Sequence, residues 1–368
     1  MQILYILQAS SHARYWRRIN NMEDLGAHSY VYAFEREKFY KGKKDTKHYI
    51  SLGSIKQEKY IKRLLPLIKS IKLIRKEIKN VDVIYAFGLD TFLIGWVASL
   101  LKRNKPKFVY EVGDIRSVFT NEGLKARLFR FVERFVLKKM DLLVVTSEAY
   151  VHGYFINIQK YHKMNYHVIE NKPELQIQFT QDSVTSDNKK IRIGYFGVIR
   201  CERSLEILNR LVTQHNDKFE LYIRGIISQG ENIINEMSSM ENVVVQGEYK
   251  VPDDLPSMYN QIDMIWACYP YMGEKVGNWM WARTTRFYEA CYFKKPMVTL
   301  KGTQDAKYVN EKGIGIVADL SNVELVVKLL SELNRKQIEA MNDNFIDVSA
   351  DVYTYSNEHD ILISKLKQ

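Results

Sequence analysis

Short runs rich in Val, Ile, Leu, Tyr and Phe alternate with longer helical patterns along most of the chain, and the alternation occurs twice. This is the strongest constraint on the fold. A strand, a crossover helix and a parallel strand bury both the apolar strand and the apolar face of the helix, so repetition builds a mostly parallel sheet covered on both faces. In the first half the strand candidates are Gln2–Gln8, His28–Phe34, Val81–Phe87, Lys107–Val112 and Asp141–Thr146. Gln57–Lys79 is the clearest helical pattern: Ile61, Leu64, Leu65, Ile68, Ile71 and Ile78 recur at helical spacing among lysines, with Pro66 a point of kinking or division. The second half repeats the logic with Ile191–Phe196, Glu220–Arg224, Val243–Gln246, Met264–Ala267, Met297–Leu300 and Gly315–Ala318.

At 368 residues the chain suits two domains, and its 46% hydrophobic content is enough for two cores. Gln178–Lys190 (QFTQDSVTSDNKK) is polar and without periodicity, and reads as a linker. The expected division is a Rossmann-like domain at 1–177, a linker at 178–190 and a second Rossmann-like domain at 191–350. Residues 351–368 form a tail whose helical pattern, with Ile361, Ile363 and Leu366, can pack back on the first domain.

Cys201, Cys268 and Cys291 are far apart and odd in number, which disfavours a disulfide framework or a zinc site and points to a reducing, cytoplasmic setting. No signal peptide is expected from the first residues, and the longest apolar stretch, Thr91–Leu101, is too short to span a bilayer. Net charge is +11, but it is uneven: 32 Lys+Arg face 17 Asp+Glu up to residue 180, and 22 face 26 beyond it. A first half that basic suits an anionic partner, whether lipid, nucleic acid or a phosphorylated acceptor.

Two segments can carry chemistry. IRIGYFGVIRCERSLEIL (Ile191–Leu208) runs from an apolar strand through a turn at Gly197 into a helix. A helix N-terminus offers unpaired N–H groups, Gly197 allows close backbone approach, and Arg200 and Arg203 supply charge for phosphate. In WARTTRFYEACYFKKPMVTLKGT (Trp281–Thr303), Thr284 or Thr285 is a natural N-cap and Glu289 lies in the second turn. A carboxylate there can accept bonds from ribose hydroxyls while the amides of 284–286 face a diphosphate. The plain alternatives are a turn glycine with solvated arginines, and a capped amphipathic helix with a surface glutamate.

The order of these pieces resembles the family 4 retaining glycosyltransferases of GT-B architecture. The matching positions are Gly197 and Arg203-Ser204, the strand ends LYIRG (Gly225) and VVVQG (Gly247), LPSMYNQIDMIWA with Leu255, Tyr259 and Asp263, and RFYEACYFKKPMV with Arg286, Glu289 and Pro296. The first half resembles the family through VDVIYAF, FVYEV before Asp114, DLLVVTSEA and HVIEN. Three departures stand out. Trp281 holds the place of the first glutamate of the family's Glu-x7-Glu; Gly197-Val198 replaces Gly-Arg, leaving Arg200 as a substitute; and Gly113-Asp114 replaces a His-Asp pair.

The resemblance implies an α/β chain of two doubly wound domains facing across a cleft. It implies a UDP- or GDP-linked sugar as donor, transferred with retention to a glycan or lipid-linked acceptor, in bacterial-type capsule or lipopolysaccharide synthesis at the inner face of the membrane. Arg203 and Arg200 would hold the diphosphate, Thr284, Thr285 and Arg286 would line it, Glu289 would hold the ribose, and the backbone from Gly247 to Tyr249 the base. The chain has no Asp-x-Asp motif, so no metal or other cofactor is expected. Ser10, Ser11 and His12 follow the first strand, where open α/β sheets place ligands, and His12 or Asp114 is a candidate to orient or deprotonate the acceptor. A solvated loop histidine is the plainer reading of His12. Gln57–Lys79 and LKARLFRFVERFVLKK (Leu124–Lys139) combine an apolar stripe with basic residues, as helices at anionic membranes do, although such helices also simply cover sheets. The competing readings are a GT-B-shaped nucleotide-sugar epimerase, which needs no acceptor, and a basic nucleic-acid-binding protein.

Overall fold

The computed structural model describes residues 1–35, 48–54, 60–78, 81–175, 177, 190–273 and 275–368. The chain divides into two compact units, Met1–Asn171 with Ser356–Gln368, and Lys172–Tyr355.

The first unit runs β1 (Gln2–Leu7), α1 (Ala13–Asp24), β2 (His28–Glu35), β3 (Tyr49–Ser54), α2 (Tyr60–Glu77), β4 (Val83–Phe87), α3 (Leu89–Ser99), β5 (Lys107–Val112), α4 (Ser117–Thr120), α5 (Leu124–Leu137), β6 (Leu142–Val145), α6 (Glu148–Tyr150) and β7 (Tyr166–Val168). The strands, all parallel, lie in the order β3-β2-β1-β4-β5-β6-β7. The chain therefore winds outward in both directions from β1, and the switch lies between the carboxyl ends of β1 and β4. The central strands are buried on both faces, which is why each reads as a continuous apolar run.

β3 and β7 escaped the sequence reading because both lie at sheet edges: Leu52 is the one buried residue of β3, and all three residues of β7 are half-buried. α2 runs through Pro66 without division. The expected helix limits at 57–59 and at 79 lie outside the described residues.

The second unit runs β8 (Ile191–Ile199), α7 (Glu202–Gln214), β9 (Phe219–Ile227), α8 (Glu231–Met237), β10 (Val243–Gln246), α9 (Leu255–Asn260), β11 (Met264–Trp266), α10 (Asn278–Trp281), α11 (Thr285–Phe293), β12 (Met297–Leu300), α12 (Gln304–Lys312), β13 (Gly315–Ala318), α13 (Val323–Ser331) and α14 (Arg335–Asp343). Its parallel sheet has the order β10-β9-β8-β11-β12-β13, so the switch here lies between β8 and β11. Two cores cover its faces: Ile193 and Tyr195 pack with Leu205, Leu208 and Leu211 of α7, while Phe196 packs with Tyr259 and Phe287.

The division between the units falls at Asn171/Lys172 and Tyr355/Ser356 rather than after 177 and 350. Lys172 Nζ donates to the carbonyls of Asp351 (2.5 Å) and Thr354 (3.0 Å), and Leu175 is buried in a core of the second unit, so both belong there. Most of the expected linker, residues 178–189, lies outside the described residues. α15 (Glu358–Lys367) belongs to the first unit. Lys107 Nζ donates to the Leu366 carbonyl (3.0 Å), Lys365 Nζ to the Tyr166 carbonyl (2.8 Å), and Arg18 Nη1 meets His359 Nε2 at 2.6 Å. The Arg18 contact is buried and closes α15 over α1.

Candidate functional site

In the second unit the expected turn at Gly197 is absent: β8 continues through it to Ile199. The pairing of β8 with β9 extends equally far, Gly197 opposite Gly225 and Ile199 opposite Ile227. The two strands approach too closely for side chains at that step. A Cβ on Gly225, whose φ is +140°, would sit 1.9 Å from the Gly197 carbonyl oxygen, and Gly197 itself has φ +99°. Gly225 is buried, while the half-buried Gly197 leaves backbone without a side chain at the carboxyl end of the sheet, where open α/β folds take ligands.

Arg200 and Cys201 then lead into α7. Cys201 is its N-cap, with Sγ accepting from the backbone N–H groups of Ser204 (3.4 Å) and Tyr271 (3.3 Å). Arg203 stands in the first turn, its side chain 37% exposed, 3.5 Å from Glu206 and over the Tyr271 ring at 5.7 Å. Arg200 is exposed. Both cations thus stand at the positive end of a long helix and reach solvent, Arg203 with Glu206 as its ion-pair partner.

On the other side of the switch, Thr284 caps α11, its Oγ1 accepting from Phe287 N–H (3.1 Å) while its own N–H donates to Asp305 (2.9 Å). The amide of Thr284 and its hydroxyl are therefore occupied, contrary to the expectation that the 284 amide faces a diphosphate. Thr285 is exposed at the helix start. Arg286 donates to the carbonyls of Phe196 (2.9 Å) and Cys268 (3.0 Å), stapling the ends of β8 and β11 across the switch. Both Nη groups hold main chain, while its Nε has no hydrogen-bond partner among the described residues.

Glu289 is 3% exposed and accepts from the Tyr259 hydroxyl at 2.8 Å. Burial pushes its carboxyl up to about 7, against the opposing pull of the Tyr259 hydrogen bond and of the Arg286 charge. Tyr249 is half-buried with Arg224 over its ring at 6.0 Å, and its hydroxyl lies 3.8 Å from where a Gly197 Cβ would be. Gly247, just past β10, is exposed. One end of this sheet thus gathers Gly197, Tyr249, Arg286 and Glu289, with the start of α7 at the end of β8.

The first unit holds a cavity of about 540 Å³. It opens at the carboxyl ends of β1, β4 and β5, with Gln8, His12, Phe87, Gly88, Gly113 and Asp114 in its wall. His12 is exposed and stacked on Tyr15, ring centroids 4.6 Å apart. The Asp114 side chain is 61% exposed.

Beneath lies a buried network that the sequence reading missed. Glu111 takes Arg18 Nε (3.2 Å) and the Tyr85 hydroxyl (2.5 Å), and Arg14 lies 4.0 Å from Glu111 and 3.9 Å from Asp114. A second buried carboxyl, Glu133, takes the hydroxyls of Tyr110 (2.9 Å) and Tyr154 and the Gln159 amide, and burial pushes it up. One signal was available: Glu111 interrupts an otherwise apolar strand, and a buried charge there demands partners. In the second unit the same holds for Asp305, 2% exposed, which takes the Thr284 N–H and pairs with Arg283 at 3.8 Å.

No family model matches the chain. It is 25% identical over 345 residues to the succinoglycan biosynthesis protein ExoL of Rhizobium meliloti (strain 1021), a match covering 90% of this chain and 85% of that protein. Among solved structures, sucrose-phosphate synthase from Thermosynechococcus elongatus superposes with a TM-score of 0.72 at 14% identity, covering 100% of this chain and 99% of the other. The lipopolysaccharide outer core galactosyltransferase WaaB does so with 0.70 at 12%, and Anabaena Alr3699/HepE in complex with UDP and glucose with 0.70 at 15%, each with the same coverage. Two doubly wound parallel-sheet units that match such structures end to end define the GT-B fold of glycosyltransferases. No helix among the described residues is long and apolar enough to cross a membrane.

Proposed function

We propose that this chain is a glycosyltransferase that binds a nucleotide-diphosphate sugar at the switch point of its second unit and passes the sugar to an acceptor hydroxyl. The observation that carries this reading is the convergence at that point of bare backbone at Gly197, the start of α7 with Arg200 and Arg203, and the buried Glu289. As the anomeric bond breaks, negative charge grows on the departing diphosphate. Arg203, Arg200 and the α7 amides meet it without a metal, Glu289 accepts from the ribose hydroxyls, and Gly247 to Tyr249 border the base. The sugar keeps its anomeric configuration. UDP is the favoured carrier, since Alr3699/HepE was solved with UDP and glucose, and surface polysaccharide synthesis is the favoured setting, since the ExoL relative is named for succinoglycan biosynthesis.

The acceptor belongs to the first unit, with His12 and Asp114 to orient or deprotonate its hydroxyl. A separate cavity there favours transfer over epimerisation, which needs no second ligand. On α5, Leu124 (83% exposed) and Phe131 (68% exposed) share an outer surface with exposed Lys125, Arg127 and Arg134, which suits contact with an anionic membrane on the cytoplasmic side. The test is calorimetric titration of the full chain with UDP, GDP and their glucose and mannose conjugates, with EDTA present. Saturable binding of one nucleotide family in the micromolar range is expected. Absence of binding to every member would remove the assignment.

A further inference from the structure

Gly113 stands beside Asp114 at the end of β5, and its missing side chain leaves a space that another residue fills. A Cβ built on Gly113 would lie 2.1 Å from Cζ, Nη1 and Nη2 of Arg14, so the guanidinium lies flat against this glycine. Arg14 comes from the first turn of α1, is 9% exposed and lines the cavity. Its Nε is enclosed and has no hydrogen-bond partner among the described residues, and its contacts to Glu111 and Asp114, at 4.0 and 3.9 Å, are too long for hydrogen bonds.

Gln8 makes a contrast in the same wall. It too lies against a glycine, Gly88, but its amide nitrogen donates to Asp90 and its oxygen accepts from Arg116 (3.1 Å). Gln8 is satisfied by its neighbours, whereas Arg14, which also meets the Tyr15 hydroxyl, keeps donor capacity unspent, its Nε enclosed without a partner and its Nη groups left to serve a ligand or water.

Charge in the cavity decides which ligand. Asp90 and Asp114 face it with Arg14 and Arg116, while Glu111 is held by Arg18 beneath and Glu133 is a raised, enclosed carboxyl, so the wall carries no surplus of positive charge for an anion. An anionic group next to Arg14 would meet Glu111 and Asp114 within the same few ångströms. A neutral polyol would instead use Arg14 as donor and Asp114 as acceptor. Part of the wall is apolar, formed by Val118, Phe119, Leu128, Phe129 and Val132, and fits an apolar aglycone or the carbon face of a sugar ring.

We propose that Arg14, seated in the space that Gly113 leaves open, contacts the acceptor, and that this acceptor presents to the cavity an uncharged sugar joined to an apolar group. The inference rests on the reading of the first unit as the acceptor unit, and adds both the residue and the charge class of its ligand.

The test uses octyl β-D-glucopyranoside and octyl phosphate as probes, each below its micelle concentration, titrated into the full chain and followed by calorimetry. The glucoside should bind and the phosphate should bind more weakly. Arg14→Gln should weaken glucoside binding about tenfold or more, as expected for the loss of charge-assisted hydrogen bonds, and Arg14→Lys should fall between. Gly113→Ala should weaken it as well, because the new methyl displaces the end of a flexible side chain rather than backbone. That variant stands in if Arg14→Gln fails to fold. UDP binding in the second unit should be unchanged throughout. No glucoside binding by the wild type, stronger binding of the phosphate, or unaltered glucoside affinity in the variants would overturn the proposal. Loss of UDP binding by the wild type would instead strike the glycosyltransferase reading.

Discussion

The two units wind the same way from their first strands, yet the carboxyl ends of their sheets are built differently. The second exposes backbone and a helix start: two facing glycines strip side chains from the β8–β9 step, and a long helix begins two residues after β8. The first covers its switch with side chains, layering a buried Glu111–Arg18–Tyr85 network under Arg14 and Asp114. On the proposed reading, one end takes an anion held by amides and arginines, and the other takes hydroxyls held by a donor and acceptor pair. Topology sets where a ligand goes, while what fills the space above the strand ends sets which ligand.

Three experiments press on that contrast. The largest effect is expected from Arg203→Ala, which removes a preorganised charge at the helix start. Turnover should fall by about 10² to 10³ with the melting temperature nearly unchanged, because the side chain is part-exposed and its contacts are a surface glutamate and the Tyr271 ring. Wild-type turnover would refute a diphosphate role.

The glycine comparison comes next. Gly225→Ala forces a methyl into the Gly197 backbone at a positive φ and should cost on the order of 3 kcal/mol. The atoms nearest a Gly113→Ala methyl are those of the Arg14 guanidinium, a side-chain end rather than backbone, so this variant should cost far less. Equal melting temperatures for the two variants would undo the distinction between backbone-built and side-chain-built ends.

The smallest effect is the pH response of Glu289. Its carboxyl is raised to about 7 in the folded chain, so the proton is held more tightly there than in the unfolded chain. Relative to Glu289→Gln, the native protein should lose stability as pH rises from about 4.5 through 7, by about 3 kcal/mol at most. UDP affinity should move the opposite way, strengthening severalfold between pH 6 and pH 8, because the ionised form accepts better from ribose hydroxyls. A flat profile in the native protein, matching Glu289→Gln, would remove the ribose role.

Much of this was legible in the chain. Alternating apolar runs mark β1, β2, β4 and β8, because a strand buried on both faces must be apolar throughout, and Thr284 announces the start of α11 because capping is a local bond. Edge strands β3 and β7 left no such trace. Gly197 was recognisable as a place of close approach but not as part of a strand, since its conformation is fixed by Gly225, and that pairing depends on register between strands. That Arg286 staples the Phe196 and Cys268 carbonyls was equally beyond local pattern, since the fold alone brings them to its two Nη groups.

By itself the sequence determined the two doubly wound units and the positions of Gly197, Arg203 and Glu289, because periodicity, glycine freedom and helix starts are properties of neighbouring residues. Tertiary structure alone decided that Glu289 is buried against Tyr259, and that Arg14, two residues past His12, lies over Gly113. Those outcomes depend on contacts between residues distant in the chain, and burial converts each into an energetic demand that local pattern does not encode.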